Sequence, residues 1–288
     1  MPQTYIYTVY NDYPSATGGK VIAVCEEALE AEFQAIAKQN AAKYGAPITA
    51  FITEYAQDHV SLRFFNAQKE KGDSDSGAIV ALAHLKERGE IDKTVQLNMQ
   101  EVMQARLQHG MYHILQGDAK AWEVPVDLDH VCEALQIDHS DLDQRYPIMA
   151  ASTSRPNLVV PLTAEGLRSA KPNLELVTDL NNATGTRGLI FVCLEGEISF
   201  RYTAPLKNIV EDNAASNTYA TLCGYLSKVG MLEDGAQRLS VTQAVAIKKP
   251  SRLSASFTVE NGEARDIWVG GLVTRQEVLD LTTDEEEE

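Results

Sequence analysis

Leu62-Arg63-Phe64-Phe65-Asn66-Ala67 and Phe200-Arg201-Tyr202-Thr203-Ala204-Pro205 read as two versions of one strand ending, their arginines 138 positions apart. Each is followed by a polar loop that carries two acids, Asp73 and Asp75 in the first case, Glu211 and Asp212 in the second. Each loop leads into an apolar stretch of helical pattern. The first opens at Ser76-Gly77-Ala78 and ends near His84-Leu85; the second opens at Ser216-Asn217-Thr218 and ends near Tyr225-Leu226. A strand–loop–helix unit that recurs in this way points to a duplicated half, against the competing reading of chance likeness between two such units. Duplication places two helix N-termini toward one shared space.

Outward from these units, period-2 alternation and β-branched runs predict strands at Tyr5–Tyr10, Val21–Val24, Pro47–Thr53 and Val60–Phe65, with more strand over Thr94–Leu115 and a hairpin at His109-Gly110. Helical spacing predicts helices over Glu27–Tyr44 and Ser76–Arg88, the second capped by Ser74 or Asp75. Asp127–Asp143 reads as a helix bridging two halves. Beyond it lie strands at Pro147–Ala151, Asn157–Pro161, Gly188–Leu194, Ile198–Tyr202, Val241–Ile247, Leu253–Val259 and Ile267–Thr274, short helices at Thr163–Ser169 and Asn173–Asp179, and a long one at Asn217–Val229. Many strands with one long helix per half make an α+β fold of two pseudo-symmetric half-domains. Each half is a sheet wrapped around a central helix, and a cleft lies between them. The halves are expected at 1–118 and 119–288, the last strand packing back on the first half.

The chain has 288 residues, 44% of them hydrophobic, which suffices for one large domain or two medium ones. Its net charge of −16 repels nucleic acid and disfavours anionic membrane surfaces. Part of that charge is the run Asp284–Glu288, read as a solvated tail. The start lacks a basic segment followed by an apolar one, and no apolar run approaches a membrane span, so a cytoplasmic location is expected. Cys25, Cys132, Cys193 and Cys223 are widely spaced and read as reduced core thiols.

Two facing helix N-termini offer unpaired N–H groups and the positive ends of two dipoles. Such a pair can hold a carboxylate and stabilise the enolate-like charge formed when a proton leaves the neighbouring carbon. A carboxylate on each side can remove that proton at one position and return it at another. Asp75 and Asp212 fill these roles here, the alternative for each being a helix cap. Lys20, Arg63, Arg155 and Arg201 are counter-charge candidates for an acidic substrate, set against ordinary salt bridges. His109 and His113 would suit a metal only on a helix, and the alternation around Gly110 argues for a hairpin. Asp73-Ser74-Asp75-Ser76-Gly77 lacks the later ligands of a calcium loop.

At these residues the chain resembles the PhzF-like family, the phenazine-biosynthesis isomerase group related in fold to diaminopimelate epimerase. The resemblance runs almost end to end: Tyr7-Thr8-Val9-Tyr10 with Gly18-Gly19, Leu62-Arg63-Phe64-Phe65, Phe200 to Pro205 with Glu211-Asp212, Lys249-Pro250-Ser251-Arg252-Leu253, and Val269-Gly270-Gly271. It implies a homodimeric biosynthetic isomerase that works without metal or organic cofactor on a small carboxylic acid. Asp212 and Asp75 would trade protons, and Ser76, Gly77, Ser216, Asn217, Gly18 and Gly19 would hold the substrate. The chain departs from the family pattern at the chemistry. Ile48 stands where the family has its proton-shuttling Glu, Asp75-Ser76-Gly77 replaces its Cys-Gly-His turn, Asn217 replaces a Ser, and Gly19-Lys20 replaces Gly-Asn. A catalytically silent binding or interaction protein on the same scaffold is therefore the alternative expectation.

Overall fold

The computed structural model describes residues 3–11, 18–245 and 247–276. The acidic run Asp284–Glu288 lies outside them. The first half contains β1 (Thr4–Val9), β2 (Lys20–Cys25), α1 (Phe33–Tyr44), β3 (Ile48–Ala56), β4 (His59–Phe65), the two-residue β5 (Glu70–Lys71), α2 (Asp75–Glu87), β6 (Thr94–Asn98), β7 (Val102–Gln108) and β8 (Met111–Glu123). The second contains α3 (Leu128–Leu135), β9 (Met149–Ser152), β10 (Asn157–Pro161), α4 (Ala164–Ser169), α5 (Leu174–Thr184), β11 (Leu189–Cys193), β12 (Ser199–Thr203), α6 (Ser216–Lys228), β13 (Gly235–Gln243), β14 (Ser251–Glu260), β15 (Glu263–Gly270) and β16 (Val273–Arg275).

The two halves share one pairing plan. In the first, β1 pairs antiparallel with β2, β2 parallel with β3, β3 antiparallel with β4 and β4 parallel with β6, after which β6, β7 and β8 form an antiparallel meander. In the second, β9 to β15 repeat that sequence of pairings, with β10–β11 and β12–β13 as the parallel contacts. The arginines that first suggested duplication occupy equivalent rungs. Arg63 lies opposite Phe51, and Arg201 opposite Phe191. The halves join where β8 pairs with β15 and then, near its end, with β9; β16 pairs with β1.

The two central helices fill the cores because they are apolar around most of their circumference. In α2, Ala78 through Leu82 and Leu85 are fully buried. In α6 the embedded hydroxyls are satisfied locally: Thr221 donates to the Asn217 carbonyl at 3.0 Å and Ser227 to that of Cys223 at 2.9 Å. This back-bonding lets polar residues sit in a buried helix without orphaned donors. The main core joins residues of both halves, from Tyr7 to Val269. All four cysteines are buried free thiols.

Two expectations need correction. The helix after Val126 ends at Leu135, where Gln136 takes a left-handed conformation, and does not run to Asp143. It packs with α4 and α5 in a separate cluster of the second half, through Val131, Ala134 and Leu135, and forms no bridge. The strand placed at Val241–Ile247 starts six residues earlier, at Gly235, and ends at Gln243. Its exposed positions, Ala236, Arg238 and Ser240, carry no large apolar side chain, which hides the strand from an apolar-run reading.

Candidate active site between the central helices

Asp75 is the first residue of α2, and Ser216 is the first residue of α6. Ser74 performs the capping of α2: its Oγ accepts from the Gly77 N–H at 3.2 Å. The Asp75 carboxylate is thereby free of capping. It accepts from Gln116 Nε2 of β8 at 3.2 Å. Gln116 Oε1 accepts in turn from Asn217 Nδ2 at 3.5 Å, and the same amide donates to Thr153 Oγ1 at 2.8 Å. Tyr10 Oη, at the end of β1, lies 2.7 Å from Ser216 Oγ. Side chains from the two halves thus interlock around both helix N-termini.

The electrostatics follow from burial. Removal from water pushes the Asp75 carboxyl up to about 6, against the counter-effects of the Gln116 hydrogen bond and the Lys20 charge. Burial also pushes up the Tyr10 phenol, and the fields of Asp75 and Asp212 add to that rise. Tyr10 therefore keeps its proton at any ordinary pH.

Asp212 precedes α6 by four residues and does not cap it; Ala215 is the cap residue, and its side chain makes no capping bond. Its Oδ1 lies 2.7 Å from Lys20 Nζ and accepts from the Ala214 N–H at 3.1 Å. Lys20 Nζ also donates to the Ala214 carbonyl at 2.5 Å. Gln243, fully buried at the end of β13, donates to the Asp212 carbonyl at 2.7 Å and accepts from the Ala215 N–H at 2.9 Å. Gly19 has φ 76°; its N–H donates to the Pro250 carbonyl, and its own carbonyl accepts from Asn213 Nδ2 at 2.7 Å. Gly18 is buried beside it.

The structure therefore gathers Asp75, Ser76, Ser216, Asn217, Asp212, Lys20, Gly18 and Gly19 at one end of the two central helices. Two of the N–H groups assigned to substrate already have protein acceptors, those of Gly77 and Gly19. Arg63 and Arg201 are elsewhere. Arg63 pairs with Glu70 and Glu30 and stacks on Phe33 and Phe65. Arg201 is buried, pairs with Glu211, donates to the carbonyls of Leu167 and Ala170, and stacks on Phe191. Arg155 is exposed, near Tyr202 and Lys207. His109 sits in the β7–β8 turn with positive φ, so the two histidines share no helix. Ile48 heads β3 and packs half-buried against the main core.

Three site residues escaped the sequence reading: Gln116, Gln243 and the Tyr10 hydroxyl. Gln116 left a trace. Tyr112 and Ile114 face inward along β8, and Gln116 continues their alternation with a polar side chain. Gln243 does the same after Val241.

Among the described residues, no helix is long and apolar enough to cross a membrane. The chain has a two-lobed α+β fold with the N-termini of both central helices at the junction. The model of the phenazine biosynthesis-like proteins (PhzC-PhzF) matches residues 15–274, and the chain belongs to that family. It is similar in structure to the phenazine biosynthesis protein of the PhzF family from Bacillus anthracis: TM-score 0.78, 18% identity, covering 96% of this chain and 98% of the other. It is also similar to a predicted epimerase from Pseudomonas aeruginosa, with TM-score 0.73, 21% identity and coverage of 98% and 100%. A hydroxyproline epimerase from Agrobacterium vitis, bound to trans-4-hydroxy-L-proline, matches with TM-score 0.55, 12% identity and coverage of 96% and 91%. No curated protein matches the chain by sequence.

Proposed function

We propose that this protein is a cofactor-independent isomerase or epimerase that moves a proton on a small carboxylic acid, with Asp75 as the principal proton carrier. The observation that carries this reading is the state of Asp75. It opens a central helix, Ser74 relieves it of capping, and burial raises its proton affinity to about 6. A carboxylate with that affinity is a far better base at neutral pH than an ordinary aspartate, and its acid form is populated enough to return the proton. The substrate carboxylate would lie against the N-terminal N–H groups of α2 and α6, where the dipoles oppose the charge that builds on proton loss. Asp212 would act from the second side, with Lys20 paired to it. Gly18, Gly19, Ser76, Gly77, Ser216 and Asn217 would shape the substrate pocket. Family membership supports an isomerase in general; the homodimer and the biosynthetic role remain part of this proposal.

The competing reading is a binding protein without turnover. Ile48, packed on the core where the family resemblance expects a Glu, favours it. Incubation of small carboxylic acids with the protein in deuterated water separates the two. Deuterium at the carbon beside the carboxyl, lost with Asp75→Asn, establishes the isomerase. A ligand that binds, shown by calorimetry, and never exchanges establishes the binding protein.

A further inference from the structure

On the face of the sheet away from the central helices, five strands bring polar residues into one row. Ser240 of β13 is opposite Ser254 of β14, Ser254 is opposite Gly270 of β15, Gly270 is opposite His113 of β8, and His113 is opposite Arg106 of β7. Strand alternation sets this face. The flanking Leu253, Ala255, Val269 and Ile114 all belong to the main core on the other side. Gly270 makes the row close. A Cβ there would approach the His113 ring to within 2.8 Å, so only glycine lets the ring lie across β15 toward β14.

As a result Ser254 Oγ is 3.0 Å from His113 Nε2. The other ring nitrogen, Nδ1, is 3.2 Å from the Met111 carbonyl. A carbonyl only accepts, so Nδ1 carries the proton and Nε2 presents its lone pair to the serine hydroxyl. The Gly270 carbonyl competes for that hydroxyl at the longer distance of 3.3 Å. His113 is 3% exposed, and burial, with the nearby charges of Arg106 and Arg238, keeps the ring neutral. Ser254 lines two cavities, of about 410 and 220 Å³, and Arg238 lines the smaller one with His113. Arg238 is exposed and makes no ion pair with the acids among the described residues.

We propose that Ser254 and His113 form a second reactive site, a serine nucleophile with its histidine base, that accepts short-acyl carboxylic esters. A nucleophile in hydrogen-bond reach of a base that a third group orients is the general signature of such chemistry. His113 Nε2 takes the hydroxyl proton as Ser254 Oγ bonds to the acyl carbon; the alcohol leaves with that proton, and water then releases the acid by the reverse sequence. The N–H groups of β14 belong to its ladders, so Arg238 supplies the positive charge for the oxyanion. Without paired backbone donors the reaction is slow, and the smaller cavity limits the acyl group to a few carbons.

The test uses the full chain with a fluorophosphonate probe, read by peptide mass, and with 4-nitrophenyl acetate. The expected result is a phosphonyl group on Ser254, absent in Ser254→Ala. Ester hydrolysis should fall about 10²-fold or more in His113→Gln, the contribution typical of a general base, and Arg238→Met should slow both labelling and hydrolysis. Asp75→Asn should leave labelling and hydrolysis intact, so this site and the proposed isomerase stand or fall separately. No label on Ser254 in the wild-type chain, or equal hydrolysis by Ser254→Ala, overturns the proposal. Ser254→Ala removes one oxygen from a half-buried position, so its folding is secure even if His113→Gln is not.

Discussion

Asp75 and Ser216 are structural counterparts: each is the first residue of a thirteen-residue central helix, one per half-domain. The carboxylate of one half therefore has a hydroxyl, not a carboxylate, as its symmetry mate. Asp212 stands outside the relation, four residues ahead of α6 and paired with Lys20. The duplication has become chemically unequal, with a titratable acid on one side, and a neutral hydroxyl held by Tyr10 on the other.

The first prediction follows from the sign of the Asp75 shift. Its carboxyl is raised from 3.8 to about 6, so the folded chain binds the proton more tightly than the unfolded chain. Below the unfolded value both states are protonated and Asp75 costs nothing. As pH rises from about 4 through 6 the folded state loses stability relative to the unfolded, by at most about 3 kcal/mol. Asp75→Asn keeps an acceptor for Gln116 and removes the charge. Its stability advantage over wild type should be near zero at pH 4 and largest above pH 7, in urea titrations at both. In the enzyme reading, kcat/KM rises with pH through about 6, and the variant loses that limb.

Lys20 and Asp212 are each about one-fifth exposed, 2.7 Å apart. Lys20→Met leaves the Asp212 carboxylate without its cation and the Ala214 carbonyl without one donor. A cost of about 1–3 kcal/mol is expected, from the lost charge-assisted bonds. Lys20→Met with Asp212→Asn should cost clearly less than the two single changes together. Additive effects in that double-mutant cycle would show the pair is not coupled.

The fold was legible because its signal repeats. The Phe51–Arg63 and Phe191–Arg201 rungs use the same residue types in both halves, and the loops and helices that follow keep the same order. The site was legible only in part. Local sequence identifies a helix start at Ser74-Asp75-Ser76 but not which residue caps it, since both Ser and Asp are good caps. Backbone direction decides that, and it assigns the bond to Ser74. Gln116 lies 41 positions from Asp75, so its role depends on long-range pairing that no local pattern encodes. For Arg63 and Arg201 the salt-bridge alternative holds, for a related reason: what surrounds a conspicuous Arg is set by neighbouring strands.

Gly77 has a packing duty that the helix-opening motif did not reveal. A Cβ on it would lie 2.7 Å from the Phe64 ring. Gly77→Ala should cost about 1–3 kcal/mol by overpacking. Adding Phe64→Leu should recover part of that loss, because the smaller side chain vacates the contact. A double variant less stable than Gly77→Ala alone would mean the ring is not the obstacle.

The two equivalent arginines should differ sharply when replaced. Arg63 is about one-third exposed, and its partners Glu30 and Glu70 are largely in water. Solvent screens such pairs, so Arg63→Met should cost roughly 1 kcal/mol or less. Arg201 is 6% exposed and satisfies Glu211 and two backbone carbonyls at once. Its replacement by Met leaves a carboxylate that is only 11% exposed without a counter-charge, and two carbonyls without donors. A loss of about 3–5 kcal/mol is expected. The double change Arg201→Met with Glu211→Gln should return part of it, because the orphaned charge is then gone. Equal losses at positions 63 and 201, measured by urea unfolding, would mean that burial does not separate the two pairs and that the arginines contribute mainly through their stacking on Phe33, Phe65 and Phe191.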